Sequence, residues 1–270
     1  MLVTLSLFFS TPLAGATTQS RTVGGITASY TYHGSLPLTK NPHLRISLDG
    51  KVVYNHAVRS SACYDQCSPN EIAGSRYVVH IVRLTKSGLP SVVLDLYSGG
   101  AHCCSVEQVY TLKPNSTIVQ KAEHNFGDPG VRLVRLGPGG TYDLLSADDA
   151  FAYAFTDYAA SGLPIEILSF SNNRFHDVTR EFPNLIAKDA RLWMNAFKSE
   201  ASSHYQDSVG LVAAWAADED MLGHSTSVAR FLANQAKAGH LNSALSPINP
   251  SGERYVIALQ AFLRKMHYLR

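Results

Sequence analysis

Charge of either sign is scarce in this 270-residue chain. Asp, Glu, Lys and Arg together make up 16% of the residues, and the formal net charge at pH 7 is only +2. So neutral a chain does not offer the basic surface that nucleic-acid binding requires, which excludes that class of partner. No stretch reaches the roughly 18 consecutive apolar residues of a membrane helix, so no membrane span is expected in the mature chain. Hydrophobic residues still make up 45%, enough to fill the core of one large domain or two smaller ones.

Familiar catalytic motifs are missing as well. The sequence has no Gly-x-Ser-x-Gly elbow, no His-Glu-x-x-His zinc motif and no Gly-x-x-x-x-Gly-Lys phosphate loop. Gly137-Pro138-Gly139-Gly140 is rich in glycine, but no helical pattern follows it, and we interpret it as a turn. The sequence therefore indicates neither a particular reaction nor a cofactor.

The first 16 residues resemble a secretory signal. An apolar run over residues 2–9 is followed by Pro12 and by Ala14-Gly15-Ala16, and small residues in an Ala-x-Ala arrangement are the pattern that signal peptidase accepts. We expect cleavage after Ala16 and a secreted, periplasmic or cell-envelope protein. No Lys or Arg precedes the apolar run, and a buried strand is the alternative interpretation.

The four cysteines, Cys63, Cys67, Cys103 and Cys104, favour the same location. In an oxidising compartment an even number of cysteines predicts two disulfides, and four cysteines allow three pairings. Adjacent residues on a strand point to opposite faces, which disfavours a Cys103–Cys104 bond. It favours two disulfides that each link the segment of Cys63 and Cys67 to the segment of Cys103 and Cys104. The alternative is a zinc site in which these cysteines and His102 are the ligands.

The amino-acid composition of the chain changes near Pro183. Sequence rich in Gly and Pro gives way to sequence rich in Ala, so we predict an α+β protein with an antiparallel β domain over 17–183 and a helical domain over 184–270. Asp49-Gly50, between two β-branched runs, predicts a hairpin. Further strands are expected at 77–84, 91–97, 108–112, 117–119, 131–136, 142–145, 165–170 and 174–175.

Four amphipathic helices are predicted in the second part. Gly223 and Gly239 are expected to end the second and the third, and Asn249-Pro250 to start the fourth. The acidic run Asp218-Glu219-Asp220 lies near a helix end, where we expect it to be exposed to solvent.

Two stretches of the β domain form a weak repeat. The strand and turn pattern that begins at Leu84 begins again at Leu136, a period of about 52 residues, which is typical of propeller blades or stacked hairpins. The segments 94–104 and 145–149 resemble degenerate repeats of the FG-GAP and VCBS type, which occur in exported bacterial proteins. The resemblance implies a sandwich or a partial propeller. The loops equivalent to that family's calcium loops contain no carboxylates here, so we expect no metal.

Polar and aromatic loop residues are the candidate binding groups. Asp148 and Asp149 form the densest acidic loop, and paired carboxylates are suited to acid/base chemistry on a glycan, to holding a metal ion, or simply to capping a turn. Tyr153 follows in an aromatic run that, on a strand, would place Phe151, Tyr153 and Phe155 on one face, either as core or as a binding platform. Tyr97 and His102 are the candidates from the first repeat unit.

Three functions compete on this basis. The preferred hypothesis is a non-catalytic exported module that binds a protein or an envelope glycan through its loops. The second is a glycan- or ester-directed hydrolase that uses Asp148 or Asp149, and the third is a metal-binding protein that uses the Cys/His cluster.

Overall fold

The computed structural model describes residues 15–36, 38–63, 66–70, 75–100, 103–113, 119–242 and 250–269. The fold is α+β, as expected, with antiparallel sheets followed by four helices. Residues 1–14 of the expected signal segment lie outside the described part of the chain.

Thirteen strands form three sheets within the described ranges. The first sheet is a meander of β1 (Ala16–Val23), β2 (Ile26–Ser35), β3 (Leu38–Leu48) and β4 (Lys51–Ala57). The second contains β5 (Ser68–Pro69), β6 (Val79–Val82), β7 (Ser91–Gly100), β8 (Cys103–Leu112) and β9 (Val119–Asn125). The third is a meander of β10 (Arg132–Val134), β11 (Asp143–Ala147), β12 (Ile165–Ser171) and β13 (Arg174–Asp177).

The second sheet lies between the other two. On β7, Leu94 and Leu96 pack with Ile46 of the first sheet, whereas Val93 packs with Phe170 of the third. Successive side chains of a strand point to opposite faces, so a strand buried on both faces is apolar at nearly every position. This arrangement explains the apolar run Val92-Val93-Leu94 and the apolar Leu96 on β7.

The helices are α1 (Pro183–Ser199), α2 (Ser208–Met221), α3 (Ser225–Lys237) and α4 (Gly252–Lys265). Gly223 and Gly239 follow α2 and α3 with positive φ, as the sequence predicts for helix-terminating glycines. The helical core also takes in Phe151 and Phe155 from the β part of the chain. Their segment can lie against α2 because Gly210 has no side chain, and a Cβ there would overlap the carbonyl oxygen of Ala160.

The aromatic run after Asp149 is not a strand, contrary to the alternation we expected. Asp149–Phe151 form a 3-10 helix, and turns follow it. Phe151 and Phe155 contact Phe262 of α4 edge to face, at 5.0 and 5.3 Å between ring centroids. Tyr153, at a φ of 60°, points away from this core and is 56% exposed. The run therefore anchors the helices to the β part through two of its aromatic residues.

None of the helices in the described part of the chain has the length and apolar content that a membrane crossing requires.

Candidate functional site

Two cavities share the side chains of Asp148 and Glu166. The larger has a volume of about 600 Å³ and the smaller about 310 Å³. The larger lies between the third sheet and the helix ends, lined by Asp148, Glu166, Asp177, Thr179, Arg180, Met221, Met266, His267, Tyr268 and Leu269. Both volumes fall in or near the range of small-molecule sites, so the two shared carboxyl groups lie where a ligand could contact them.

The antiparallel pairing of β11 and β12 brings these two carboxyl groups together. Glu166 is paired with Ser146, and Asp148 follows β11 directly. Asp148 also caps the 3-10 helix, because its Oδ1 accepts from the backbone N–H of Ala150 at 2.9 Å. The cap fixes one oxygen of Asp148 and leaves the other for a second partner.

That partner is Tyr268, whose hydroxyl donates to Oδ2 of Asp148 at 2.8 Å. The Tyr268 ring packs edge to face on Phe151, at 5.3 Å between ring centroids. Both carboxylate oxygens of Asp148 are thus engaged, which holds the group in one orientation towards the cavities.

Arg180 holds the segment that contains Tyr268. Its guanidinium donates to the carbonyl oxygens of Met221, His267 and Tyr268 at 2.9–3.0 Å. The planar guanidinium suits such simultaneous bonds. Residues 266–269 therefore form a fixed wall of the larger cavity.

Glu166 is the most perturbed carboxyl group of this site. Burial, followed by the neighbouring charges of Asp148 and Asp177, raises the pKa of Glu166 to about 8. At neutral pH its carboxyl group is therefore largely protonated and can donate a hydrogen bond, which a carboxylate cannot do. The site thus combines an acidic donor with carboxylate acceptors.

The smaller cavity lies on the side of the second sheet. His124, Gly127, Asp149 and the Cys103–Cys104 pair contribute to its lining. Burial lowers the pKa of His124 and raises that of Asp149. Gly127 has a φ of 68°, and a Cβ there would overlap the carboxyl group of Asp149. Glycine at this position is what lets Asp149 approach.

A buried carboxyl pair lies behind His124. Asp95, Glu107 and His124 form one cross-strand row on β7, β8 and β9. Glu107 is fully buried and lies opposite Asp95 on the neighbouring strand, and burial followed by the Asp95 charge raises the pKa of Glu107 well above its usual value. Two carboxyl groups this close cannot both ionise without strong repulsion, so the pair shares a proton.

The predicted binding residues do not form one group. Asp148 lines both cavities, and Asp149 lines the smaller one, where its Oδ1 accepts from the N–H of Asp128 at 3.2 Å. Tyr97 lies on β7, and its hydroxyl donates to the carbonyl oxygen of Gly100. Tyr153 contacts Tyr158, at 5.7 Å between ring centroids, and lines neither cavity. His102 lies outside the described residues.

The disulfides are not the cross-links between segments that we expected. The structure pairs Cys63 with Cys67, at 5.4 Å between Cα atoms, and Cys103 with Cys104. The expectation assumed regular strand alternation at Cys103, but the pairing of β7 with β8 shifts register between Tyr97 and Gly100, directly before it. All four sulfur atoms are paired, so they offer no thiolate to a metal ion. Among the described residues, no three His, Cys, Asp or Glu side chains are grouped as metal ligands.

Sequence reasoning missed Glu166, Arg180 and Tyr268. A single acidic residue among Ile165, Ile167 and Leu168 of β12 was the available signal for Glu166. Tyr268 is separated from Asp148 by 120 residues, and no local pattern links them.

Comparison with known proteins finds two remote relatives. The chain is 25% identical over 191 residues to an uncharacterized protein of Sinorhizobium fredii, a match that covers 69% of this chain and 29% of that protein. It is 28% identical over 137 residues to a probable thylakoid lumen protein of Synechocystis, covering 50% of this chain and 40% of that protein. The chain thus spans less than half the length of either relative. No family model and no solved structure matches, so the resemblance to FG-GAP and VCBS repeats stays a prediction.

Proposed function

We propose that this chain is an exported binding protein whose ligand, a hydroxyl-rich glycan of the cell envelope, occupies the larger cavity. The observation that carries the proposal is the pairing of Asp148, fixed by Tyr268, with the carboxyl group of Glu166 in a cavity of about 600 Å³. Sugar hydroxyl groups both donate and accept hydrogen bonds. A site with carboxylate acceptors and one protonated carboxyl donor matches that requirement.

The rest of the lining suits the apolar faces of a sugar. Met221, Met266 and Leu269 line the same cavity as the carboxyl groups, beside the Tyr268 ring. Methionine and aromatic side chains pack against C–H surfaces while polar groups fix orientation. The guanidinium of Arg180 is engaged with three carbonyl oxygens, so it serves the wall of the site.

Two observations support an extracytoplasmic location for this function. The cysteines are oxidised in pairs, and disulfides persist in oxidising compartments. One relative carries the description of a probable thylakoid lumen protein, and the lumen lies outside the cytoplasm. A glycan of the envelope is a ligand that an exported protein would meet.

Calorimetric titration of the full chain with soluble peptidoglycan fragments and neutral oligosaccharides tests the proposal. We expect one ligand class to bind and Asp148→Asn to weaken its affinity about tenfold, since a lost hydrogen bond to a charged group is worth about 1.5–3 kcal/mol. Glu253→Gln, an exposed carboxyl change on α4, is the matched control. Absence of binding across the panel, or an affinity unaffected by Asp148→Asn, would show that the cavity is not a glycan site.

A second candidate, a glycoside hydrolase, is favoured by one specific observation. Glu166, whose pKa is raised to about 8, lies near Asp148, and acid-catalysed cleavage of a glycosidic bond uses a pair of carboxyl groups of which one donates a proton. Glu166 would protonate the leaving oxygen as the glycosidic bond breaks, and Asp148 would take a proton from the water that attacks the anomeric carbon. Turnover of a bound oligosaccharide that Glu166→Gln abolishes, while binding persists, would establish this candidate over a purely binding role.

A further inference from the structure

A groove between α1 and the third sheet lies apart from the two acidic cavities. Its volume is about 560 Å³, and Leu145, Ile165, Leu185 and Leu192 form an aliphatic floor. Leu192 is 54% exposed, an unusual fraction for a large apolar side chain. The groove presents apolar surface to solvent.

Three cations border this apolar floor. Arg132 of β10 and Lys188 and Arg191 of α1 line the groove, and all three are exposed. Among the described residues, none of the three takes part in an ion pair or a side-chain hydrogen bond. Lys188 and Arg191 are three positions apart on one helix, where like charges destabilise the helix slightly. An anion in the groove would relieve that repulsion.

The acidic residue of the groove does not cancel this charge. Oδ2 of Asp189 accepts from Nε1 of Trp193 at 2.9 Å and from the N–H of Ile165 at 3.0 Å. It also lies close to the buried carboxyl group of Asp218 on α2. Asp189 therefore serves the packing of α1 on β12 and α2, and the lining stays positively charged overall.

The groove and the acidic cavities use opposite faces of the third sheet. Ile165 and Glu166 are consecutive on β12, so their side chains point to opposite sides. Ile165 lines the groove and Glu166 lines both cavities. A ligand in the groove is consequently independent of the proposed glycan.

We propose that this groove binds an anionic amphiphile, a single acyl chain with a carboxylate head. The chain would lie on the aliphatic floor and the head among Arg132, Lys188 and Arg191. A peptide would bring backbone N–H and C=O groups that need partners, and Asn195 is the sole neutral polar side chain in the described lining. An acyl chain has no such groups, and the volume lies within the range of small-molecule sites.

Displacement of a fluorescent fatty acid from the full chain provides the test, with palmitate, hexadecanol and acetate as competitors. We expect palmitate to compete about tenfold better than hexadecanol, which has the chain without the charge, and acetate not to compete. The Lys188→Ala/Arg191→Ala double variant should weaken palmitate about tenfold. Leu192→Asn should weaken palmitate and hexadecanol alike, because the floor contacts both.

The controls separate the proposal from its alternatives. Arg254→Ala removes an exposed cation from α4 and should leave palmitate binding unchanged, and circular dichroism confirms that each variant folds. Equal competition by palmitate and hexadecanol would overturn the proposal, as would a double variant that is folded and binds normally. An acidic peptide or an anionic phosphatidylglycerol vesicle that binds where palmitate does not would likewise overturn it.

Discussion

The Tyr268 hydroxyl donates a 2.8 Å hydrogen bond to Oδ2 of Asp148 and so joins the segment after α4 to the end of strand β11. Asp148 belongs to the β part of the chain and Tyr268 to the helical part. The larger cavity needs both side chains in its lining. We therefore infer that neither part forms this cavity alone.

Tyr268→Phe tests the contribution of this bond to folding. The variant keeps the ring on Phe151 but leaves Oδ2 of Asp148 without its donor. We expect the free energy of unfolding to fall by about 1.5–3 kcal/mol, as for other hydrogen bonds to a charged group. Urea denaturation measures the change.

Tyr205→Phe is the matched control, because that ring stacks on His240 and the described residues give its hydroxyl no hydrogen bond. A double-mutant cycle with Asp148→Asn isolates the pair, and the two changes should not be additive. Additive losses would contradict the assignment of the bond.

Arg180→Ala should release the wall that contains Tyr268. The change removes donors to three carbonyl oxygens, two of them in the segment 266–269. We expect hydrogen exchange to accelerate at the amides of Tyr268 and Leu269, which bond to the carbonyl oxygen of Leu263. Exchange in β2 should stay as in the parent protein. Unchanged protection at residues 268 and 269 would mean that Arg180 does not hold this wall.

Local patterns were sufficient to predict most elements of the fold. Asp49-Gly50 connects β3 and β4, and Gly223 and Gly239 follow helices, because turns and helix ends depend on the backbone freedom of single residues. Helices α1, α3 and α4 are amphipathic, as their periodic apolar residues predict, whereas α2 is buried on nearly every side and is not. Strands β1 and β2 were not predicted. Strand β1 is exposed along nearly its whole length and has no apolar alternation, whereas the alternation of Ile26, Ala28, Tyr30 and Tyr32 along β2 was a signal that was missed.

Contacts between remote segments explain what sequence reasoning missed. Asp218 and Asp220 were expected in solvent, yet both are buried, with Asp218 at 0% exposure. The carboxyl group of Asp218 lies close to that of Asp189 on α1, and no sequence pattern within α2 indicates that neighbour. Glu166 and Tyr268 were missed for the same reason.

Asp218→Asn should stabilise the protein at neutral and alkaline pH. Burial, then the charge of Asp189, raises the pKa of Asp218 to about 10, whereas an unfolded Asp has a pKa of about 3.9. Between these values folding takes up a proton, so this group's contribution to stability falls by up to about 1.4 kcal/mol per pH unit as the pH rises. An Asn amide has no charge to bury and needs no proton.

Urea titrations at several pH values check this prediction. The variant should gain about 1–3 kcal/mol at pH 8 and little at pH 4.5, with a flatter dependence on pH. Glu253→Gln on α4 should leave the pH dependence unaltered. If Asp218→Asn is less stable than the parent protein at pH 8, Asp189 and Asp218 do not share a single proton.

Tryptic mapping without reductant distinguishes the disulfide pairings. Cleavage after Arg59 and Arg76 isolates Cys63 and Cys67 in one peptide. Cleavage after Lys86 and Lys121 isolates Cys103 and Cys104 in another, because Pro114 protects Lys113. The pairing within each segment predicts two separate peptides, each lighter by about two hydrogen masses than its reduced form. A single species in which the two peptides are linked would instead support disulfides between the Cys63/Cys67 segment and the Cys103/Cys104 segment.

Ligand binding at the acidic cavity should weaken as the pH rises through the pKa of Glu166. Below pH 8 its carboxyl group is largely neutral and donates a hydrogen bond, and above pH 8 it is ionised beside Asp148 and Asp177. If the ligand requires the protonated form, affinity should fall about tenfold between pH 7 and pH 9, following the protonated fraction. Glu166→Gln keeps a donor and has no titrating proton, so its affinity should be constant over that range. Calorimetric titrations of both proteins at pH 6–9 measure the two profiles, and the same slope in each would assign the titration to a group other than Glu166.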